Sequence, residues 1–254
     1  MGIIYRMSYF QSLILGLVQG LTEFLPVSSS GHILLTGELL GVTPSLAFEL
    51  ILHVATLIAV VVFYRKSIFL RLKKPFSLSN LYLVVATVIT AVFALLLRKT
   101  VGNFPVSRLP IFFLVTACLL LTGSFFGKGN KKMTLGKSAV IGLTQGLACI
   151  PGLSRSGSTI SVALAMGVEK NEATEFSFLL SIPIILGSSI VELIGAPIGS
   201  VDLGVTAVGF VAALVSGYAA LLIVNKLMKK ASLDLFAVYL VALSIVLIFA
   251  NYVF

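Results

Sequence analysis

Two stretches decide the fold: SLILGLVQGLTEFLPVSSSGH at residues 12–32 and SAVIGLTQGLACIPGLSRSGS at residues 138–158. In each, an apolar run stops at a polar loop rich in Ser and Gly, and a second short apolar run follows, at 33–40 and at 160–168. A membrane-spanning helix needs about 20 mostly apolar residues. Each stretch therefore reads as two half-helices around a break, the pattern of a re-entrant hairpin that enters and leaves on one side. Set against each other at an offset of 126 residues, the two stretches are identical at 9 of 21 positions without a gap. The matches are Ser12/Ser138, Gly16/Gly142, Leu17/Leu143, Gln19/Gln145, Gly20/Gly146, Leu21/Leu147, Ser28/Ser154, Ser30/Ser156 and Gly31/Gly157. The same offset pairs Gly41 with Gly167, Val42 with Val168, Ala47 with Ala173 and Glu49 with Glu175.

Outward from these stretches, the chain has the composition of a membrane protein. Of its 254 residues, 58% are hydrophobic and 11% charged, and the mean hydropathy is +1.12. Soluble domains run at about 45–50% apolar and roughly 25% charged. A water-soluble fold could not hide this much apolar surface, so the excess faces lipid in a single membrane domain. Six segments qualify as spanning helices: 47–64, 79–97, 109–126, 174–194, 204–225 and 234–254. The expected fold is thus all-α and integral to the membrane, with six transmembrane helices plus two re-entrant helical hairpins. The opening MGIIYRMSYFQSLILGLVQGL superficially resembles a signal peptide, with a basic residue before an apolar run, but no small-x-small cleavage site follows. Cys118 and Cys149 both fall in apolar segments, which suggests neither a disulfide framework nor a thiolate metal site. The net charge of +9 fits cytoplasmic loops and anionic lipid contact in such a chain; no nucleic acid partner is expected.

The basic residues give an orientation. With both hairpins re-entrant, the loops on one side carry Arg65, Lys66, Arg71, Lys73, Lys74, Lys128, Lys131, Lys132, Lys137, Lys170, Lys226, Lys229 and Lys230, which is 13. The other side carries Arg6, Arg98, Lys99 and Arg108, which is 4, and Arg155 lies within the second hairpin. The excess of Lys and Arg marks the cytoplasmic side and places both termini outside. Each repeat, approximately 1–126 and 127–252, is one hairpin plus three spanning helices. Three is odd, so the second repeat is expected to be inverted relative to the first, as in transporters whose broken helices form a midplane site.

The chemistry lies where the repeat fails to match. The first loop holds Glu23, Ser28, Ser29, Ser30, Gly31 and His32. The second keeps the Ser and Gly frame but has Cys149 for Glu23 and Arg155 for Ser29. Ser and Gly let backbone amides turn toward an anion, and a following half-helix offers its positive N-terminus. One half thus supplies an acid, hydroxyls and an imidazole, and the other a cation, a division that suits a phosphate held between them. As mates, Ser29 and Arg155 should then face each other within roughly 10 Å, a diphosphate plus a hydrogen bond at each end. Other readings compete. Ser and Gly also permit close helix packing, and His32 could be a hydrogen-bonded loop residue. Arg155 could be a counter-ion to Glu23 or Glu175, although a guanidinium fork matches phosphate oxygens well. Glu49 and Glu175 are left open between pairing with Arg155, assisting a metal and capping the loops. His53, one turn after Glu49, reads as structural or as a supporting residue, and Glu38 and Glu192 as solvated.

GLTEFLPVSSSGH (20–32) and PGLSRSGST (151–159), continuing into EFSFLLSIP (175–183), resemble the two signature motifs of the undecaprenyl-diphosphate phosphatase family, the bacitracin-resistance type. The resemblance covers most of the chain. It implies an integral membrane enzyme that hydrolyses undecaprenyl diphosphate to undecaprenyl phosphate and inorganic phosphate, recycling the lipid carrier of peptidoglycan synthesis and conferring bacitracin resistance. It also implies a site opening to the extracytoplasmic face of the cell membrane and a divalent cation, Mg2+ or Ca2+. The family's first motif carries Glu or Gln four residues before a Glu, here Gln19 and Glu23. Gln19 departs from the commoner Glu and weakens a two-carboxylate metal site. The second motif is complete at Pro151, Gly152, Ser154, Arg155, Ser156 and Thr159.

On this reading Glu23, with Gln19, holds the metal. Glu23, Ser29, His32 and Arg155 are the catalytic candidates, with Ser29 as nucleophile or aligning hydroxyl and His32 as general base or acid. Ser28, Ser30, Gly31, Ser154, Ser156 and Thr159 line the substrate. The alternative class is an inverted-repeat transporter or lipid flippase, which phosphate release in detergent distinguishes. The partners expected are the lipid substrate and membrane lipids; a homodimer is carried as a further expectation.

Overall fold

The computed structural model describes residues 7–101, 104–127, 129–195, 202–230 and 233–253, with side chains at 98–101, 192–195, 229–230 and 251–253 left out. Arg6, Lys128 and Phe254 lie outside the described residues, as do the side chains of Arg98, Lys99, Glu192, Lys229 and Lys230. The described residues form eleven α-helices: α1 Tyr9–Phe24, α2 Ser29–Leu39, α3 Leu46–Phe63, α4 Arg65–Leu72, α5 Leu78–Val101, α6 Leu109–Phe126, α7 Leu135–Leu147, α8 Arg155–Ala165, α9 Lys170–Gly195, α10 Leu203–Lys230 and α11 Asp234–Val253. A 3-10 turn, Val106–Arg108, leads into α6. Five helices are long and apolar enough to cross a membrane, within α3, α5, α6, α9 and α10, and α11 is apolar over Asp234–Ala250.

The two stretches read first from the sequence form the pairs α1–α2 and α7–α8. Their helices have 16, 11, 13 and 11 residues, short of the roughly 20 needed to span. The repeat extends to their caps. Ser8 opens α1 with a capping box to Gln11, and its mate Thr134 opens α7 through the Lys137 amide. Ser28 caps α2 through the Gly31 amide, and its mate Ser154 caps α8 through the Gly157 amide. The first break follows from Pro26, which holds Leu25 extended at φ −64, ψ 141. At the second, Gly152 turns the chain at φ +92, a conformation that favours glycine.

Repeated glycines set the packing. Gly16 and Gly20 lie against Gly209, Ala213 and Ser216 of α10, so that a methyl at either would collide with backbone. Their mates Gly142 and Gly146 lie equally close to Ala86, Thr90 and Phe93 of α5. Small residues four apart let helix backbones approach in a membrane. Thus α1 packs on α10 and α7 on α5, while α6 packs on α11 and α3 on α9.

The polarity is that of a membrane bundle. Outward faces are apolar: Val84, Val88 and Leu95 on α5 and Val238, Val246 and Phe249 on α11 are all exposed. Within, Gln19, Glu23, Ser29, Gln145, Ser154, Ser156, Thr159 and Ser177 are buried. Cys118 and Cys149 are free thiols. The short helix α4, absent from the sequence reading, is tied down where Ser67 donates to Glu175 at 2.6 Å and Arg71 lies 3.7 Å from the same carboxylate.

Candidate active site

The site is built on one carboxylate. Glu23 sits in the last turn of α1 with only 4% of its side chain exposed. A buried carboxylate is costly unless hydrogen-bonded and paired, and Glu23 is both. Its Oε2 accepts from the Ser29 hydroxyl at 2.6 Å and from Gln19 Nε2 at 3.0 Å. Its Oε1 accepts from the Arg155 guanidinium, 132 residues further along the chain. Ser29 and Arg155 are each the first residue of a half-helix, α2 and α8. The break in each hairpin therefore aims a helix N-terminus and its free amides at the same place. Two groups bound to one carboxylate lie within about 8 Å of each other, two hydrogen bonds plus the width of the carboxylate.

A small cavity opens beside this cluster, lined by Glu23, Phe24, Gln145, Arg155, Ser156, Ser177, Phe178 and Ser181. It lies between the two hairpins and α9. Among the described residues the Arg155 guanidinium has no hydrogen bond other than the one to Glu23, so its remaining N–H donors are available to a ligand. Ser156 donates to the carbonyl of Leu25 across the hairpins at 3.3 Å. Ser154 and Ser28 spend their hydroxyls as caps, and each lies 3.4 Å from the serine hydroxyl two residues on, Ser156 and Ser30 respectively. Thr159 donates back to the carbonyl of Arg155 at 2.8 Å and meets the Ser177 hydroxyl at 2.5 Å. Ser28 is the one non-glycine among the described residues with positive φ, at 71°. Such strain persists only where surrounding contacts enforce it, commonly at functional loops. Gly31 lies against the Phe113 ring, which a Cβ there would have to displace.

The two histidines take the supporting and loop-bonded places that the sequence left open for them. Among the described residues His32 has no hydrogen bond to Glu23, Ser29 or Arg155. Its Nδ1 donates to the carbonyl of Ser28 at 2.8 Å, which leaves Nε2 to accept from the Tyr239 hydroxyl at 2.7 Å in the neutral ring. It stacks on Tyr239 and tilts against Phe113. His53 instead approaches the carboxylate, its Nε2 3.9 Å from Glu23 Oε2, with Nδ1 on the carbonyl of Glu49 at 2.9 Å. Glu175 is engaged by α4 rather than by Arg155. The sequence reading did not assign Gln145, Ser177 or Ser181 to the site. Of these, Gln145 carried a signal, as the repeat mate of Gln19.

As a cation site the cluster is partial. Among the described residues no group of three His, Cys, Asp or Glu side chains could hold a metal. Gln19 turns its Nε2 to Glu23, so only with that amide reversed would Glu23, Gln19 and the Ser29 hydroxyl form a hard oxygen set. A hard dication held there would have to take its remaining ligands from phosphate and water.

Residues 12–246 match the family described as bacitracin resistance protein BacA. The chain belongs to that family. Among BacA-like relatives, an undecaprenyl-diphosphatase of Treponema denticola is 41% identical over 94% of this chain and 96% of its own length. One of Carboxydothermus hydrogenoformans is 38% identical over 95% and 97%. One of Methanobrevibacter smithii is 40% identical over 92% and 94%. The family match over most of the chain and the apolar helices make this a multi-pass membrane protein.

Proposed function

We propose that this chain is an undecaprenyl-diphosphatase, removing the terminal phosphate of undecaprenyl diphosphate to leave undecaprenyl phosphate. The observation that carries the reading is the meeting of Ser29 and Arg155, equivalent positions of the two repeats, on the one carboxylate of Glu23 beside a cavity. A serine hydroxyl against a buried carboxylate is an activated nucleophile, and a guanidinium beside it is a partner for phosphate oxygens.

The first step is the transfer of the Ser29 proton to Glu23, the base it touches at 2.6 Å, as the oxygen attacks the terminal phosphorus. The bond from that phosphorus to the bridging oxygen breaks, and undecaprenyl phosphate leaves. Water then cleaves the phosphoserine, releasing inorganic phosphate, and Ser29 regains its proton. Arg155 and the amides opening α2 and α8 stabilise charge on the transferred group. Glu23 takes the base role that the sequence reading gave to His32, because Ser29 rests on Glu23 while both His32 nitrogens are engaged elsewhere. Glu23, Gln19 and Ser29 would hold the divalent cation together with the substrate, and its contribution is to neutralise diphosphate charge.

The same reading has α3, α5, α6, α9, α10 and α11 span the bilayer while the hairpins re-enter it from opposite faces. The exchange of packing partners, α1 on α10 against α7 on α5, and the odd number of spanning helices per repeat support that inversion. The split of 13 basic residues against 4 puts both termini outside, and a site opening to the extracytoplasmic face is what the family resemblance implies. One chain supplies every residue of the site, so the reading needs no second copy.

The test is phosphate release by purified protein in detergent, where transport cannot be scored. Wild type is expected to turn over, and Ser29→Ala to lose activity by about a thousandfold or more, as for an activated nucleophile. Acid quenching should trap phosphate on Ser29. Ser29→Ala with near-normal turnover would rule out the covalent route.

A further inference from the structure

Gln145 is 2% exposed, yet its Nε2 has no hydrogen-bond partner among the described residues. Leaving such a donor unsatisfied costs free energy, and native structures retain few of them without reason. Gln145 is also a wall of the cavity that holds Glu23 and Arg155. Every other polar side chain of that wall has a partner. Glu23 binds Ser29, Gln19 and Arg155; Ser156 binds the Leu25 carbonyl; Ser177 binds Thr159; Ser181 binds the Phe178 carbonyl.

The repeat explains the vacancy at this amide. Gln19, the mate of Gln145, donates its Nε2 to Glu23 one helical turn later. In the second hairpin the residue one turn later is Cys149, which offers no carboxylate and turns its thiol to the Gln145 backbone carbonyl at 3.9 Å. The acceptor has been removed from the pair, and the donor has been kept.

We infer that the Gln145 amide is a phosphate contact, donating from Nε2 to a non-bridging oxygen of the diphosphate that Arg155 holds. The inference rests on the phosphatase reading for the identity of the ligand. The amide is a neutral donor fixed by packing, so it discriminates for an acceptor-rich anion in the cavity without adding to the charge around Glu23. A contact made equally in the bound and reacting states acts on KM rather than on kcat.

The experiment uses full-length protein in detergent with inorganic pyrophosphate as the probe, read by competitive inhibition and by its shift of the melting temperature. Gln145→Met keeps the volume and removes the donor. It is expected to raise KM for the lipid diphosphate and Ki for pyrophosphate about ten- to a hundredfold, the worth of a hydrogen bond to a charged group. kcat should stay within a few-fold. The ligand-free melting temperature should hold or rise, because an unsatisfied buried amide has gone. Gln145→Glu, an isostere with acceptors only, should bind pyrophosphate more weakly still. Unchanged Ki in Gln145→Met, or a lower ligand-free melting temperature or failure to fold, would make the amide structural and overturn the inference. A wild type that releases no phosphate but is stabilised by pyrophosphate through Gln145 would sink the enzyme reading and leave this contact standing.

Discussion

Replacing Arg155 separates a phosphate contact from a structural counter-ion, because the two roles respond differently to lysine and to alanine. Arg155 has 24% of its side chain exposed and Glu23 only 4%, so deleting the guanidinium leaves a buried carboxylate without its cation. Breaking a buried pair in this way costs about 3–5 kcal/mol. At roughly 2–4 °C per kcal/mol for a chain of this size, Arg155→Ala should lower the melting temperature by roughly 6–20 °C. Adding Glu23→Gln removes the stranded charge and should restore most of that loss while restoring no activity. Arg155→Lys keeps the charge against Glu23 and should melt within a few degrees of wild type. It loses the planar fork that meets phosphate oxygens in pairs. Losing one charge-assisted hydrogen bond costs about 1.5–3 kcal/mol, so phosphate release by Arg155→Lys should fall roughly 10- to 150-fold. The assay is phosphate release in detergent beside a thermal unfolding curve on the same preparations. Near-normal turnover in Arg155→Lys would refute the phosphate role and leave Arg155 as the counter-ion of Glu23.

Two further outcomes are expected. Excess chelator should abolish phosphate release, with magnesium or calcium restoring it, and Gln19→Ala should raise the metal concentration needed less than Glu23→Gln does, since an amide oxygen holds a dication more weakly than a carboxylate; full activity in chelator would take the cation out of the reaction. In a chain with Cys118 and Cys149 replaced, a membrane-impermeant thiol reagent added outside intact cells should label Ser107→Cys and spare Lys74→Cys, and the reverse pattern would invert the orientation.

Much of the fold was legible because lipid imposes a simple rule on composition. The expected span 109–126 is α6, and the expected 47–64 differs from α3 by one residue at each end. Helix α9 begins earlier than its expected 174, at Lys170, because Glu169 caps it with its carboxylate on the Asn171 and Glu172 amides. An apolar count does not register such a polar first turn. Helix α4, RKSIFLRL, was missed for the same reason: it is too short and too charged to span, and what holds it is Glu175, 108 residues from Ser67. In the site, the pairing of Glu23 with Arg155 was foreseeable as one of several options for a buried cation. The bond of His32 to Tyr239 was not, since that partner lies 207 residues away and nothing in the loop marks it. The approach of His53 to Glu23 likewise depends on how α3 packs, not on the local sequence.

The mismatches in the repeat are also what allow the site to be stable. Two copies of the Glu23–Ser29 loop facing each other would bury two carboxylates with no cation between them, and would repel a diphosphate as well. Two copies of the Arg155 loop would bury two guanidinium groups and offer no base. One of each neutralises both across the boundary between the repeats, where the Arg155 guanidinium meets Glu23, and leaves the remaining guanidinium donors for a ligand. The frame that stays identical, Ser28/Ser154 and Gly31/Gly157, does work that sign does not affect: it caps two half-helices. Charge at membrane depth is expensive unless paired. The pair that would carry the chemistry is therefore also the pair that joins the two halves, and changes at either residue should appear in stability and in turnover together.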